Sequence, residues 1–398
     1  MPAPHQAGAL RKQSSARHFK KGVIRTIWRE WINGTPHALI PLAVPLWRKS
    51  MKSTGSTRSM VRTLCIGLMA SLTLGMAPQA TAQTKVRFSL DWRFEGPGAL
   101  FMLPAAKGYF QEENLDVSID TGAGSGATIT RVASGAYDMA FADLASLMEF
   151  HANNPTAPNK PVAVMMVYNN TPAAVFSLKK TGITTPQDLT GKKLGAPVFD
   201  SGRKSWPIFA KANDVGEVEW TSMDPPLRET MLARGDVDAI TGFYFTSLLN
   251  LEARGVKPED IMVMRFADHG VRLYGNAIIA SEKFIAENPE AISAFLRAFT
   301  RGAADVIADP TAAIEYVRQR DGIINVELED RRLRLALEAS VQTADARAEG
   351  FGHINPDRLV LMASQVTEAF QPQNPVDPSV IWTDRFLPDA SLLDILGQ

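Results

Sequence analysis

Two carboxylates, an arginine and two aromatic rings occupy five consecutive residues, Asp91-Trp92-Arg93-Phe94-Glu95. Trp92 offers a flat apolar face with one N–H donor, and Asp91 and Glu95 offer acceptors. Such a set recognises a small molecule by stacking and hydrogen bonding. The competing reading buries Trp92 in the core and pairs Arg93 with Asp91 or Glu95. Four further stretches carry comparable residues. In Gly122-Ala123-Gly124-Ser125-Gly126-Ala127, free backbone N–H groups at a helix start would attract an anion or polar oxygen. Ser125 and Gly126 are the expected contacts there, and a plain tight turn is the alternative. In Ala142-Asp143-Leu144-Ala145-Ser146, Asp143 either caps a helix or meets a solute. Residues 198–206 hold Ser201 and Arg203 for a polar group and Phe199 or Trp206 for a ring, although Arg203 is equally a solvated surface charge. Thr241-Gly242-Phe243-Tyr244-Phe245-Thr246 contains three consecutive aromatics that cannot all face one core, and Tyr244 is the one expected to reach a ligand. Tyr168-Asn169-Asn170 is a weaker polar candidate.

The elements that must position these stretches alternate. Residues 86–90, 117–120, 139–142 and 162–167 read as strands of a first unit, with helices over 98–109, 127–134 and 144–151 between them. A second unit begins near Ala173, with strands over 175–178, 193–196, 217–221, 237–241 and 262–266 and helices over 202–213, 226–233 and 247–254. Residues 272–280 read as an extended return toward the first unit. From Ser281 onward the chain is mostly helical, with helices opening at Asn288-Pro289-Glu290 and Asp309-Pro310, and two more over 328–343 and 356–370. Strands alternating with helices argue for parallel βαβ architecture, and there ligands sit in loops at the carboxyl ends of strands. The five stretches all fall at such ends.

Two segments repeat a pattern. Thr130 to Asp138 and Thr230 to Asp238 each end a helix at a glycine (Gly135, Gly235), continue to an aspartate and enter an apolar strand. This marks a duplicated two-lobed protein, with Asp138 and Asp238 serving turns or caps.

Composition narrows the class. Residues 1–82 carry twelve of the 42 Lys/Arg and one of the 42 Asp/Glu, leaving 30 bases and 41 acids in the rest. That acidic body lacks the basic footprint of a nucleic-acid binder. Arg58 and Arg62 precede the apolar run 64–77, and Ala80-Thr81-Ala82 is an A-x-A site. Residues 51–82 read as a secretory signal peptide cleaved after Ala82, which places the product in the periplasm; a retained anchor is the weaker reading because the run is short for a spanning helix. Residues 1–50 read as an extension or an over-long gene start. The one cysteine, Cys65, falls inside the signal, so the remainder has no thiol nucleophile and no cysteine metal site. No HExxH, GxSxG or P-loop spacing is present.

Leu90-Asp91-Trp92, Ala106-Lys107-Gly108-Tyr109-Phe110, Gly124-Ser125-Gly126-Ala127, Ala133 to Asp138 and Gly235-Asp236-Val237-Asp238-Ala239 together resemble one family: the periplasmic solute-binding proteins of the sulfonate/taurine/nitrate and pyrimidine-precursor (NMT1/THI5-like) group. The resemblance covers roughly residues 85–300. It implies a type II periplasmic-binding fold, α/β, with two Rossmann-like lobes joined by crossing strands and a helical C-terminal region. The lobes would be 83–172 and 173–266, with 267–398 returning to the first lobe. It further implies a monomer without cofactor or metal that hands a small solute to an ABC permease and ATPase in the inner membrane. Aromatics on cleft loops of both lobes favour a flat aromatic or heteroaromatic solute. The glycine turn and Arg203 would suit a carboxylate, sulfonate or phosphate instead, and the alternative is a binder of a small anion such as an aliphatic sulfonate, taurine or nitrate. The eukaryotic pyrimidine synthases of the group use a cysteine-rich segment and an active-site histidine. Here the cysteine-rich run is missing, and His151, His269 and His353, the histidines after residue 82, sit on none of the first-choice loops, which argues against an enzyme. Phe94-Glu95-Gly96-Pro97 departs from the pyrimidine-precursor pattern, so the ligand is not carried over.

Overall fold

The alternation of strands and helices folds into two five-stranded mixed sheets in a computed structural model that describes residues 82–397. The expected extension and the apolar run of the expected signal peptide lie outside the described residues. In the first sheet the strands are β1 (Thr84–Ser89), β2 (Leu115–Asp120), β3 (Met139–Asp143) and β4 (Pro161–Met166). In the second they are β5 (Ala173–Leu178), β6 (Lys193–Ala196), β7 (Glu219–Ser222), β8 (Ala239–Phe243) and β9 (Ile261–Arg265). The last strand, β10 (Asn276–Ser281), follows the second sheet in sequence yet belongs to the first. The spatial orders are β2-β1-β3-β10-β4 and β7-β6-β8-β5-β9.

The two sheets are built alike. In each, one strand has parallel neighbours on both sides (β1 beside β2 and β3, β6 beside β7 and β8), and an antiparallel strand follows (β10 or β5). The repeated Gly-x-x-Asp units explain part of the likeness. Gly135 and Gly235 take φ of 78° and 86°, the left-handed turn that ends each helix. Asp138 then accepts the backbone N–H of Arg87 at 2.9 Å, and Asp238 that of Lys193 at 2.8 Å. Each aspartate anchors the parallel strand beside it, Asp138 within β1 and Asp238 at the first residue of β6.

β3 and β10 are buried along their whole length, as covered strands must be, and helices pack on both faces. The helix Pro289–Ala308 sets Phe295 against Phe88 (ring centres 5.1 Å apart) and Phe299 against Phe101 (4.9 Å). Two helices depart from expectation. The one expected over 98–109 ends at Ala106 because Gly108, at φ 81°, turns the chain into a short second helix, Tyr109–Glu112. The one expected over 328–343 is regular over Val326–Ala336 and then widens by a turn. Val326–Ala336 packs against both the loop at Gly96–Gly98 and the helix Tyr244–Glu252. Among the described residues no helix is long and apolar enough to cross a membrane.

Candidate functional site: an aromatic cleft between two sheets

The chain segments that follow strands of both sheets converge on one cavity. After β1 come Leu90, Asp91, Trp92, Arg93 and Glu95; after β2, Gly124 and Ser125; after β4, Tyr168. From the second sheet come Asp200 and Ser201 after β6, Arg228 after β7, and Phe243, Phe245 and Thr246 around the end of β8. The space between them is about 580 Å³ counted to its open mouth.

One wall is an unbroken band of rings. Phe101 lies 5.1 Å from Phe141, Phe141 5.0 Å from Tyr168, Tyr168 6.0 Å from Phe245, and Phe245 5.8 Å from Phe243, mostly edge to face. The band starts on the helix that follows β1, passes through Phe141 of β3 and ends at Phe243 of β8 in the second sheet. Burial, with Asp91 and Glu95 close by, pushes the Tyr168 phenol well above its ordinary pKa, so it stays a neutral donor. Trp92 lies over the guanidinium of Arg228, 5.0 Å from ring centre to carbon. The buried indole Nε1 of Trp92 has no hydrogen-bond partner.

The polar groups are mostly committed. Asp91 Oδ2 accepts from Asn276 Nδ2 at 2.7 Å and from Ser125 Oγ at 3.3 Å, and burial raises its pKa to about 6. Asp200 accepts from Arg228 Nη1 at 2.9 Å and Thr241 Oγ1 at 3.2 Å, and it caps the helix Ser201–Ala212 through the N–H of Arg203. Arg228 donates through Nε to Glu229 Oε1 at 2.9 Å, and its Nη2 stands at the same distance. Its charge is therefore balanced by two buried carboxylates. Glu95 Oε2 accepts from Thr246 Oγ1 at 2.8 Å, but its Oε1 is buried without a hydrogen bond, 3.6 Å from Arg93 Nη2.

Of the residues expected from sequence, Asp91, Trp92, Glu95, Ser125 and Ser201 line this cavity, and the others lie elsewhere. The N–H of Gly126 is taken by the carbonyl of Phe199 at 3.3 Å. Asp143 caps the helix Leu144–Asn153, accepting from the N–H of Ser146 at 2.8 Å and its hydroxyl at 2.9 Å. Phe199 is 48% exposed and outside the lining. Arg203 turns away, donating to the carbonyl of Ala196 and to Ser222 Oγ, both at 3.0 Å, and stacking on Trp220. Trp206 is core, tilted against Phe209 and edge-on to Trp220. Tyr244 sits beside Arg265, with Phe243 and Phe245 in the lining instead. Sequence reasoning did not select Asp200, Arg228, Phe101, Phe141 or Thr246, and it ranked Tyr168 low.

A family model described as NMT1/THI5 like matches residues 99–313, more than half of the chain. The chain belongs to that family. This NMT1/THI5-like protein is 27% identical over 300 residues to a protein named riboflavin-binding protein RibY of Chloroflexus aurantiacus, covering 74% of the chain and 83% of the relative. It is 29% identical over 242 residues to a 4-amino-5-hydroxymethyl-2-methylpyrimidine phosphate synthase of Aspergillus parasiticus, covering 58% of the chain and 69% of the relative. In fold it is similar to the periplasmic aliphatic sulphonate binding protein SsuA of Escherichia coli, with a TM-score of 0.59 and 14% identity over 75% of the chain and 92% of SsuA. The NMT1/THI5-like protein thus has the periplasmic-binding fold expected from its motifs, and relatives bearing both binding-protein and synthase names.

Proposed function

We propose that this protein is the substrate-binding component of an ABC importer. It works as a monomer in the periplasm after loss of its signal peptide. It captures a small, flat aromatic or heteroaromatic solute between two lobes, residues 83–172 with 267–398 and residues 173–266, and delivers it to a membrane permease and its ATPase. The observation that carries this reading is the pair of buried polar atoms without a hydrogen bond, Trp92 Nε1 and Glu95 Oε1 (the latter within ion-pair distance of Arg93), on residues that line an aromatic cavity. Proteins rarely bury such groups without a partner. A planar solute with an acceptor for the indole N–H and a donor for the carboxylate satisfies both, while the band of rings covers its apolar faces.

The alternative of a bare anion, such as taurine, an aliphatic sulfonate or nitrate, fits less well. Arg228 is balanced by Asp200 and Glu229, Arg93 stands near Glu95, and Asp91, Glu95 and Asp200 are all in the lining. A relative named for riboflavin, itself a flat heteroaromatic, supports the same class. The synthase relatives raise a catalytic alternative. Against it, His151, His269 and His353 are not among the lining residues, and His151 is bonded to the carbonyl of Pro161 at 2.7 Å.

A thermal-shift and calorimetric series with riboflavin, 4-amino-2-methylpyrimidine, taurine and nitrate tests the proposal. A true solute at one hundred times its Kd adds about 2.7 kcal/mol of stability. A shift produced by taurine or nitrate alone overturns the aromatic reading. Turnover of a pyrimidine compound overturns the binding-only role.

A further inference from the structure

Arg332 stands on the helix Val326–Ala336, and Glu95 on the loop after β1, so both lie outside residues 99–313 that the family model matches. They meet beside the cavity. Arg332 is 1% exposed, and all five of its N–H groups find acceptors. Nε donates to Glu329 Oε2 at 2.8 Å; Nη1 donates to the carbonyls of Phe245 at 3.0 Å and Thr246 at 2.9 Å; Nη2 donates to Asn250 Oδ1 at 3.0 Å and Glu329 Oε1 at 3.2 Å. Its Nε also stands 3.7 Å from Glu95 Oε2. Glu329 in turn accepts the N–H of Gly96 at 2.6 Å. The approach is so close that a Cβ on Gly96 would lie 2.2 Å from the Glu329 carbonyl oxygen.

One guanidinium therefore reaches the first wall of the cleft through Glu329 and Glu95. It reaches the second wall directly, at the start of the helix Tyr244–Glu252. An arginine that only anchored its own helix would have no need to bond both walls. We propose that Arg332 is a positioning residue for the cleft, holding Glu95 against Thr246 across the two sheets so that Glu95 Oε1 remains the acceptor offered to the solute. The role rests on the solute-binding reading above. It assigns a share in recognition to the C-terminal helices, beyond the segment that the family match covers. Lysine would keep the charge but not the five-bond fork.

The test compares the wild type with Arg332→Lys, Arg332→Gln and Glu329→Gln in two measurements. The first needs no ligand: amide hydrogen exchange resolved to segments 91–98, 244–250 and 139–143. The expected result is exchange about tenfold faster in both 91–98 and 244–250, with 139–143 unchanged. Faster exchange in 244–250 alone means that Arg332 merely supports the second wall, and this overturns the proposal. Uniform loss of protection marks simple destabilisation and overturns it as well. If Arg332→Gln does not fold, the lysine and Glu329 variants decide the matter. The second measurement is calorimetric binding of riboflavin and 4-amino-2-methylpyrimidine. Whichever probe binds the wild type is expected to bind Arg332→Lys at least about tenfold more weakly, and unchanged affinity overturns the positioning role. If neither probe binds the wild type, the solute class fails, while the exchange result still judges the link between the walls.

Discussion

The guanidinium carbon of Arg228 lies 5.0 Å from the centre of the Trp92 ring, so a cation from the second sheet stacks on an aromatic from the first. Arg228 is itself fixed by Asp200 and Glu229, which makes it a rigid floor for the indole. A cation–π contact adds about 0.5–2 kcal/mol to the approach of the two walls. Trp92 also belongs to the lining of the cavity.

Trp92→Ala is expected to weaken binding of the true solute by about tenfold or more, since an aromatic stacking contact is worth roughly 0.5–1.5 kcal/mol beyond its buried area. The melting temperature should move little, because Trp92 is only partly buried and belongs to none of the core clusters. Calorimetry and a melting curve on the same preparation check both halves. Unchanged affinity with a large loss of stability would return Trp92 to a core role.

The architecture was legible because period and punctuation agree: the expected strand over 193–196 coincides with β6, and most others shift by one to three residues. The cleft was legible only where residue type and position coincide, as in Asp91-Trp92-Arg93-Phe94-Glu95. Tyr244 carries the same residue-type signal as its neighbours, but β8 ends at Phe243 and a helix starts at Tyr244, and that change of backbone sends Phe243 and Phe245 to the cavity and Tyr244 to Arg265. Trp206 is separated by three residues from Phe209, a core spacing on a helix that was there to be read. Arg228 and Arg332 left no comparable signal. Each sits in a charged run, Arg228-Glu229 and Glu329-Asp330-Arg331-Arg332, that reads as a solvated helix face. What buries them is the arrival of carboxylates and carbonyls from 28 to 237 residues away, which local pattern does not encode.

Asp143 and Asp91 make stability depend on pH in a particular direction. Burial raises their folded-state pKa values to about 7 and about 6, from an ordinary value of 3.8. Between the unfolded and folded values the native state binds more protons, so stability falls as pH rises through that window. Asp143→Asn removes one such group and keeps a side-chain acceptor at the helix cap. Relative to the wild type, this variant is expected to gain stability as pH rises from about 4 to about 7 and to level off above that. Urea unfolding at four pH values measures the difference, and a difference that is flat or falls with pH refutes the assignment.

At Gly124 the two walls touch. Its φ of 124° is open to glycine and strained for other residues, and a Cβ there would lie 2.3 Å from the carbonyl oxygen of Phe199 on the opposite wall. The N–H of Gly124 donates to the Asp91 carbonyl at 2.8 Å, so the loop cannot yield without disturbing Asp91. Gly124→Ala is therefore expected to hold the walls apart more than to unfold either sheet. Small-angle scattering with saturating solute should show a larger radius of gyration for the variant than for the wild type. Affinity should fall by about tenfold or more, because a ligand favours closure only through its stronger contacts with the closed form. Thermal stability of the ligand-free protein should change by only about 1–3 kcal/mol, the usual range for one strained backbone position. An alanine variant that closes and binds like the wild type would mean that the Phe199 segment gives way easily, and that the contact between Gly124 and Phe199 does not limit closure.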